Sequence, residues 1–256
     1  VVLIPLWAFN KDGSLASSPE KVASDDDYAR SLFQTNCGSC HTLARAGITE
    51  HDVVQIALDY GLYAGGFGFQ QGAELLGASV IPVSLSAGVD KQVAILRDFK
   101  STALVTTPSH AVAIAGALRE HPAPAGSLRL RTALLGGEPW SDALRRQIEA
   151  DLHVQAIDTY GLTEIVGPGM AGECQLQCGH HVNEDHFIVE IIDPRTLRRV
   201  EPGRPGELVV TTITKEGFPL VRYRTGDVTT LIDEPCACGR TMVRIARIAS
   251  RTDDLV

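Results

Sequence analysis

TALVTTPSHAVAIAGALREHPAPAGSLRLRTALLGG, residues 102–137, holds two short apolar runs, TALVTTPS (Thr102–Ser109) and LRTALLGG (Leu130–Gly137), separated by a helix-length segment. Working outward toward the N-terminus, the same texture recurs in GASVIPVS (Gly77–Ser84) and VVQIAL (Val53–Leu58), again with helix-length segments between. Short apolar runs alternating with amphipathic stretches are the pattern of strands buried on both faces of a parallel sheet and joined by helices. The spacing therefore predicts an α/β fold: a parallel sheet with flanking helices.

Beyond Asp185 the pattern changes to closely spaced strand-like runs: HFIVEIID (His186–Asp193), GELVVTTIT (Gly206–Thr214), LVRYRTGDVTTLI (Leu220–Ile232) and MVRIARI (Met242–Ile248). Their connections, DPRT, EPGRPGE and KEGFP, carry the Pro and Gly that tight turns need. This predicts a β-rich subdomain, a small antiparallel sheet or barrel. Residues 10–28, NKDGSLASSPEKVASDDDY, read as a linker ending in a helix N-cap at the acidic cluster Asp25 to Asp27. The chain thus divides into an atypical N-terminal segment (1–45), an α/β core (46–184) and a β-rich subdomain (185–256).

Composition narrows the function. With 44% apolar residues, 21% charged residues and a net charge of −8, no basic face is implied, which disfavours nucleic acid and anionic membranes and favours a small organic substrate. The apolar run Val1–Phe9 falls short of the roughly 20 residues a spanning helix requires. It reads either as a buried strand of a truncated domain or as the tail of a removed segment. Six cysteines fall into close pairs, Cys37 with Cys40, Cys174 with Cys178 and Cys236 with Cys238, a grouping that suggests metal or cofactor chemistry in a reducing compartment.

Three motifs carry the chemistry. IDTYGLTEIVGPGMAGEC (Ile157–Cys174) runs an apolar strand into a Tyr-Gly-Leu-Thr-Glu turn, VRYRTGD (Val221–Asp227) ends a β-segment on an acid, and IASRTDD follows at Ile248–Asp254. In this order and spacing they resemble the core motifs of the adenylate-forming superfamily. With YGLYAGGFGFQQGAELLGASVIPVS, TTPSHA, GGEPW, EDHFIVEIIDP, GELVVTTITKEGFPLVRYRTGD and CACGRT, the text from about Ala46 onward is similar to the phenylacetate–CoA ligase branch.

That resemblance implies ligation of an aromatic or related carboxylate to CoA: the carboxylate attacks the α-phosphate of ATP, and the CoA thiol takes the acyl group from the adenylate. Positioning and charge neutralisation do most of such work. It implies that Glu164 binds Mg²⁺, which prefers hard oxygen ligands beside phosphates, and that Thr163 contacts the α-phosphate. Asp227 would accept hydrogen bonds from both ribose hydroxyls, Arg251 would add a second ribose contact, and Tyr160 would stack near the adenine. GGEPW would border the adenine through Gly137, Glu138 and Pro139 and the acyl pocket through Gly136; its plainer reading is a strand-to-helix turn that needs glycine. Tyr60 and Phe67, in YGLYAGGFGF, would face a flat apolar acid, with core packing as the rival role.

The resemblance also implies a structural zinc, since family members with a Cys-X-Cys-Gly turn look like zinc binders. The expected ligands are Cys174, His181, Cys236 and Cys238, with Cys178 as a substitute; the alternative is a set of buried thiols.

Two departures qualify the resemblance. The Ser/Thr/Gly-rich phosphate loop expected before Ile48 has no match, since GSLASSPEK (Gly13–Lys21) lacks its glycines. By the same resemblance, the chain is expected to stop at the hinge, before the mobile C-terminal domain with its adenylation lysine. The expectation is a fragment inactive alone, exposing surface that favours a homodimer. In the loop's place, Cys37-Gly-Ser-Cys40-His41 resembles the haem-attachment helix of a small cytochrome c. It reads as a genuine fusion, a join of two genes near LARAGIT, or a chance pattern in a diverged ligase helix. The alternative function is accordingly a haem-bearing electron-transfer segment on a non-catalytic nucleotide-binding remnant. No cytochrome core follows, however, and haem attachment needs an extracytoplasmic compartment whereas ATP and CoA are cytoplasmic. The ligase-like text points to the cytoplasm.

Overall fold

The computed structural model describes residues 38–61, 64–165 and 167–251. The run Val1–Phe9, the stretch 10–28, Cys37, Asp253 and Asp254 lie outside the described residues.

Residues 38–45 are helical (α1) and lead to strand β1 (Val53–Ile56). There follow α2 (Gly65–Leu75), β2 (Ser79–Pro82), α3 (Val89–Asp98), β3 (Ala103–Thr106), α4 (Pro108–Glu120), β4 (Thr132–Gly136), α5 (Asp142–Leu152) and β5 (Gln155–Leu162). Pairing is parallel in the order β2-β1-β3-β4-β5, the arrangement that alternating strands and helices predict. After β5 the strands are β6 (Gly167–Glu173), β7 (His180–Val182), β8 (Phe187–Ile192), β9 (Pro205–Thr212), β10 (Tyr223–Ile232), β11 (Arg244–Ile245) and β12 (Ser250–Arg251). They pair antiparallel and continue the same sheet as β5-β6-β7-β11-β10-β9-β8, with β12 on β10, twelve strands in all among the described residues.

The inner parallel strands β1, β3, β4 and β5 are buried on both faces over most of their length, while the edge strand β2 is partly exposed, and the inner strands' side chains sort with period two. Val105, Leu134 and Ile157 pack with Leu43 of α1 and with Phe69 and Ala73 of α2. Leu104, Ala133, Leu135 and Ala156 pack on the other face with Ile114 of α4 and Ile148 of α5. Burying each such Leu or Ile is worth roughly 1.5–3 kcal/mol, so the alternation fixes the register of these inner strands. Residues 38–45, set apart by the sequence pattern, contribute Leu43 to this core, with Ala46 beside it.

Local chemistry aims two helices at the ends of the parallel strands. Thr107 Oγ1 accepts from the His110 N–H at 3.3 Å with Pro108 opening α4, and Ser141 Oγ accepts from the Leu144 N–H at 3.2 Å at the start of α5. Their N-termini face the carboxyl ends of β3 and β4, where ligands of open α/β sheets bind.

Strand β6 has no apolar alternation because the α1 backbone lies against it. A Cβ on Gly169, whose φ is +87°, would stand 2.7 Å from the Gly38 carbonyl carbon and the Ser39 nitrogen, and one on Gly172 would stand 2.6 Å from Thr42 Cγ2. In MVRIARI, expected as one strand, only Arg244–Ile245 is strand, because Arg247 turns away to partners on β5 and the GGEPW loop. No helix among the described residues is long and apolar enough to cross a membrane.

Candidate nucleotide site and metal centre

The carboxyl ends of β4 and β5 open into a cleft of about 410 Å³, walled on one side by the GGEPW loop and on the other by β10 and β12. Gly137, Glu138, Pro139, Tyr160, Asp227 and Arg251, all expected at a nucleotide, line it. A smaller adjoining cavity shares Gly137 and Tyr160 and adds Gly136, Thr163, Leu58 and Phe69.

Asp227 is the electrostatic centre. Its side chain is 6% exposed, and each oxygen has a donor: Tyr160 Oη–H donates to Oδ2 at 2.5 Å, and Arg251 Nη1 donates to Oδ1 at 3.0 Å. The pairing of Asp227 with Arg251 in the β10–β12 register sets the second contact. Burial, then the facing Asp227 carboxylate, drives the Tyr160 phenol far above its usual range, so it is a donor at every physiological pH. Each carboxylate oxygen has the capacity to accept a further hydrogen bond.

The GGEPW loop is anchored from outside. Glu138 accepts from the Ser109 N–H at 3.1 Å and from Ser109 Oγ at 2.7 Å, placing its charge on the α4 N-terminus. Gly136 has a steric reason to be glycine, since a Cβ would lie 2.5 Å from the Thr159 oxygens. Thr163 and Glu164 sit exposed on a 3₁₀ turn, Thr163–Ile165, beyond β5, and Lys215 Nζ donates to the Glu164 carbonyl at 2.5 Å.

Tyr60 and Phe67 line neither of these two cavities. They meet edge to face at 5.1 Å, Tyr60 packs against the core, and Phe67 is half exposed; Phe69 lines the small cavity instead. Residues two apart on a helix point to opposite sides, so only one of the two α2 phenylalanines can turn inward.

Sequence reasoning missed the floor of the cleft. Arg247 Nε donates to Asp158 Oδ2 at 2.9 Å, its Nη2 donates to the Trp140 carbonyl at 2.7 Å, and its guanidinium lies 4.7 Å from the centre of the Trp140 ring. His180 Nε2 lies 3.2 Å from the same Asp158 oxygen. Burial raises the Asp158 carboxyl, but His180, Trp140 and Arg247 outweigh it and hold it below the usual range. Only its place two residues before Tyr160 could have drawn attention to Asp158.

Beneath this floor, Cys174, His181, Cys236 and Cys238 converge, their ligand atoms all within 4.8 Å of one another. Cys174 ends the β6 hairpin, His181 is on β7, and the two remaining cysteines occupy the turn between β10 and β11. Zinc bond lengths in a tetrahedron imply about 3.7 Å between thiolates and about 3.5 Å between sulfur and imidazole nitrogen. Cys174 and Cys236 sulfurs are 3.8 Å apart, and Cys238 Sγ is 3.6 Å from His181 Nε2. Burial, then Arg45, Arg244 and Arg240, pushes His181 down to about 4, so its imidazole is neutral. The residues fit a closed structural zinc site. Of the haem-attachment pattern, Cys37 lies outside the described residues, Cys40 is half buried, and His41 Nε2 lies 3.5 Å from Asp185 Oδ2.

The architecture is that of an adenylate-forming enzyme core. A 2-hydroxyisobutyryl-CoA ligase, solved in an open conformation with 2-HIB-AMP and CoA, superposes with a TM-score of 0.81 at 27% identity, over 88% of this chain and 54% of that one. Residues 29–214 match the profile of the AMP-binding enzymes, and the chain belongs to that family. It is 44% identical over 216 residues to a phenylacetate-coenzyme A ligase of Thermus thermophilus and 43% identical over 216 residues to one of Pseudomonas putida. Each of these alignments covers 84% of this chain and 48% of the relative, so the chain spans about half the length of the curated relatives it matches.

Proposed function

We propose that this chain supplies the nucleotide- and acid-binding core of an ATP-dependent acid–CoA ligase of the phenylacetate type. The observation that carries the reading is the buried Asp227 carboxylate, held by Tyr160 and Arg251 on the wall of a cleft whose opposite wall is the GGEPW loop. Asp227 accepts from the two ribose hydroxyls through its remaining lone pairs, Arg251 supports the ribose, and Tyr160 flanks the adenine beside Gly137 and Pro139. Thr163 faces the α-phosphate. The acid enters the small cavity along Gly136 and Phe69, so that its carboxylate oxygen attacks the α-phosphorus as pyrophosphate leaves. The CoA thiol then attacks the acyl carbon and AMP leaves.

Glu164 would hold Mg²⁺, which would supply charge neutralisation beside the phosphates. Cys174, His181, Cys236 and Cys238 would hold a zinc ion with a structural role, since four protein ligands leave no open position. Thiol ligands and the ATP and CoA substrates suit the cytoplasm, and a homodimer fits the exposed apolar residues Ile213, Phe218 and Val221. The test is titration with a non-hydrolysable phenylacetyl-adenylate analogue. The reading predicts binding at least about tenfold tighter than AMP, because two adjoining cavities are filled instead of one. An analogue no tighter than AMP would remove the acid pocket from the account.

A further inference from the structure

The metal centre has one thiol too many. Four ligand atoms complete a tetrahedron, yet a further sulfur, Cys178 Sγ, stands 3.2 Å from Cys236 Sγ. Cys178 is exposed while Cys236 is buried, so a solvent-borne reagent meets Cys178 first. Its place is fixed. Gln177, at φ +52°, and Gly179, at φ +98°, turn the chain on either side of it, and Arg244 Nη1 donates both to its carbonyl at 2.5 Å and to its sulfur at 3.5 Å. The thiol is thereby held against a residue that the zinc reading makes a ligand.

We propose that Cys178 is an oxidation site whose disulfide with Cys236 withdraws a metal ligand. This rests on the zinc reading given above. The oxidant is a peroxide. The Cys178 sulfur attacks one peroxide oxygen, the O–O bond breaks, and water leaves with Cys178 as a sulfenic acid. The Cys236 sulfur then attacks the Cys178 sulfur, the S–S bond forms, the S–OH bond breaks, and the departing hydroxide takes a proton to become a second water. Two thiols are oxidised by two electrons and one peroxide is reduced to two waters. Cys236 can no longer coordinate, and Cys174, His181 and Cys238 remain as an incomplete set. A dithiol reductant reverses the step by exchange.

The consequence reaches the cleft through one peptide bond. His181 is a ligand on β7, and its neighbour His180 lies against Asp158 on the cleft floor. Loss of the metal removes one tie between β7 and the β10–β11 turn, leaving the strand pairing of β7 with β11, and loosens the support of Asp158. Oxidation is therefore expected to weaken nucleotide binding without touching a nucleotide contact.

The experiment treats the full chain, and a Cys178→Ser variant, with hydrogen peroxide. It follows zinc release with a colorimetric chelator and maps disulfides by peptide mass spectrometry. Wild type is expected to release zinc as a Cys178–Cys236 peptide appears, and to take zinc up again after dithiothreitol and fresh metal. Cys178→Ser is expected to bind as much zinc as wild type and to release it at least about tenfold more slowly under the same peroxide. Equal release rates in the two proteins, or a disulfide that leaves out Cys178, would overturn the proposal. Should the chain bind no zinc, the zinc reading fails alone, and the disulfide map still decides: a Cys178–Cys236 link upholds the oxidation site, and its absence removes it.

Discussion

At the scale of single residues, the molecule repeatedly buries a charge only where donors surround it. Glu173 is the clearest case outside the cleft. Its side chain is 1% exposed, and Arg145 donates to both its oxygens at 2.8 Å, with the Asp158 N–H adding a third bond at 2.9 Å. Removing one partner of such a pair strands the other, at about 3–5 kcal/mol. Glu173→Gln should therefore lower the thermal midpoint by several degrees, measured by calorimetry; a shift under about 1 °C would show that the pair contributes little. Tyr160→Phe leaves Asp227 with Arg251 but removes its shorter bond. About 1–2 kcal/mol of stability should be lost in a denaturant titration with an unchanged slope. The motifs YGLTE and RTGD made Tyr160 and Asp227 legible in the sequence, but not their bond to each other. A resemblance assigns each residue its partner in the ligand and says nothing of the partner it has within the chain. Asp158, His180 and Arg247 were illegible for a related reason: they stand far apart in the sequence, and only the fold brings them together.

At the scale of elements, strands whose side chains decide their packing were readable, and strands decided by backbone approach were not. The runs around β1, β3 and β4 announced themselves through buried Val, Leu and Ile. Strand β6 is written in glycine because α1 crosses it at van der Waals distance, and no alternation survives in GPGMAGE. Gly169→Ala should accordingly cost at least about 2 kcal/mol, through a positive φ and a clash with rigid backbone, read as a lower urea midpoint. A wild-type midpoint would mean that α1 does not rest on β6. The start of β1 makes a second test. Asp52 accepts from Thr102 Oγ1 at 2.6 Å, from the Thr49 N–H at 2.9 Å and from Arg131. Burial raises its carboxyl, but these donors outweigh it and hold it below the usual range. A carboxyl lowered on folding stabilises fully above its unfolded value near 3.9, and that contribution disappears as pH falls toward the folded value. Stability of Asp52→Asn should thus fall less than wild type between about pH 5 and pH 3, measured by urea unfolding across that range.

At the scale of the whole molecule, a parallel sheet and an antiparallel extension meet along β5 and β6, and the cleft lies where they meet. One wall comes from each part: the GGEPW loop follows β4, while Asp227 and Arg251 ride on β10 and β12. Cys174, His181, Cys236 and Cys238, brought together from the end of β6, from β7 and from the β10–β11 turn, lie behind that junction. Stripping zinc with a chelator is expected to cost about 3 kcal/mol and about 6–12 °C of thermal midpoint, restored by zinc addition; a midpoint indifferent to chelation would leave Cys174, His181 and Cys236 as ordinary core beside a half-buried Cys238. The central claim is that the two walls form one nucleotide site around Asp227. Calorimetric titration of AMP into wild type and Asp227→Asn tests it most directly, with thermal unfolding confirming that both are folded. The account predicts that wild type binds AMP and that the variant, which keeps the shape but not the charge that holds Arg251 and accepts the ribose hydroxyls, binds at least about tenfold more weakly. Equal affinity in the two folded proteins, or no binding by wild type, would contradict it.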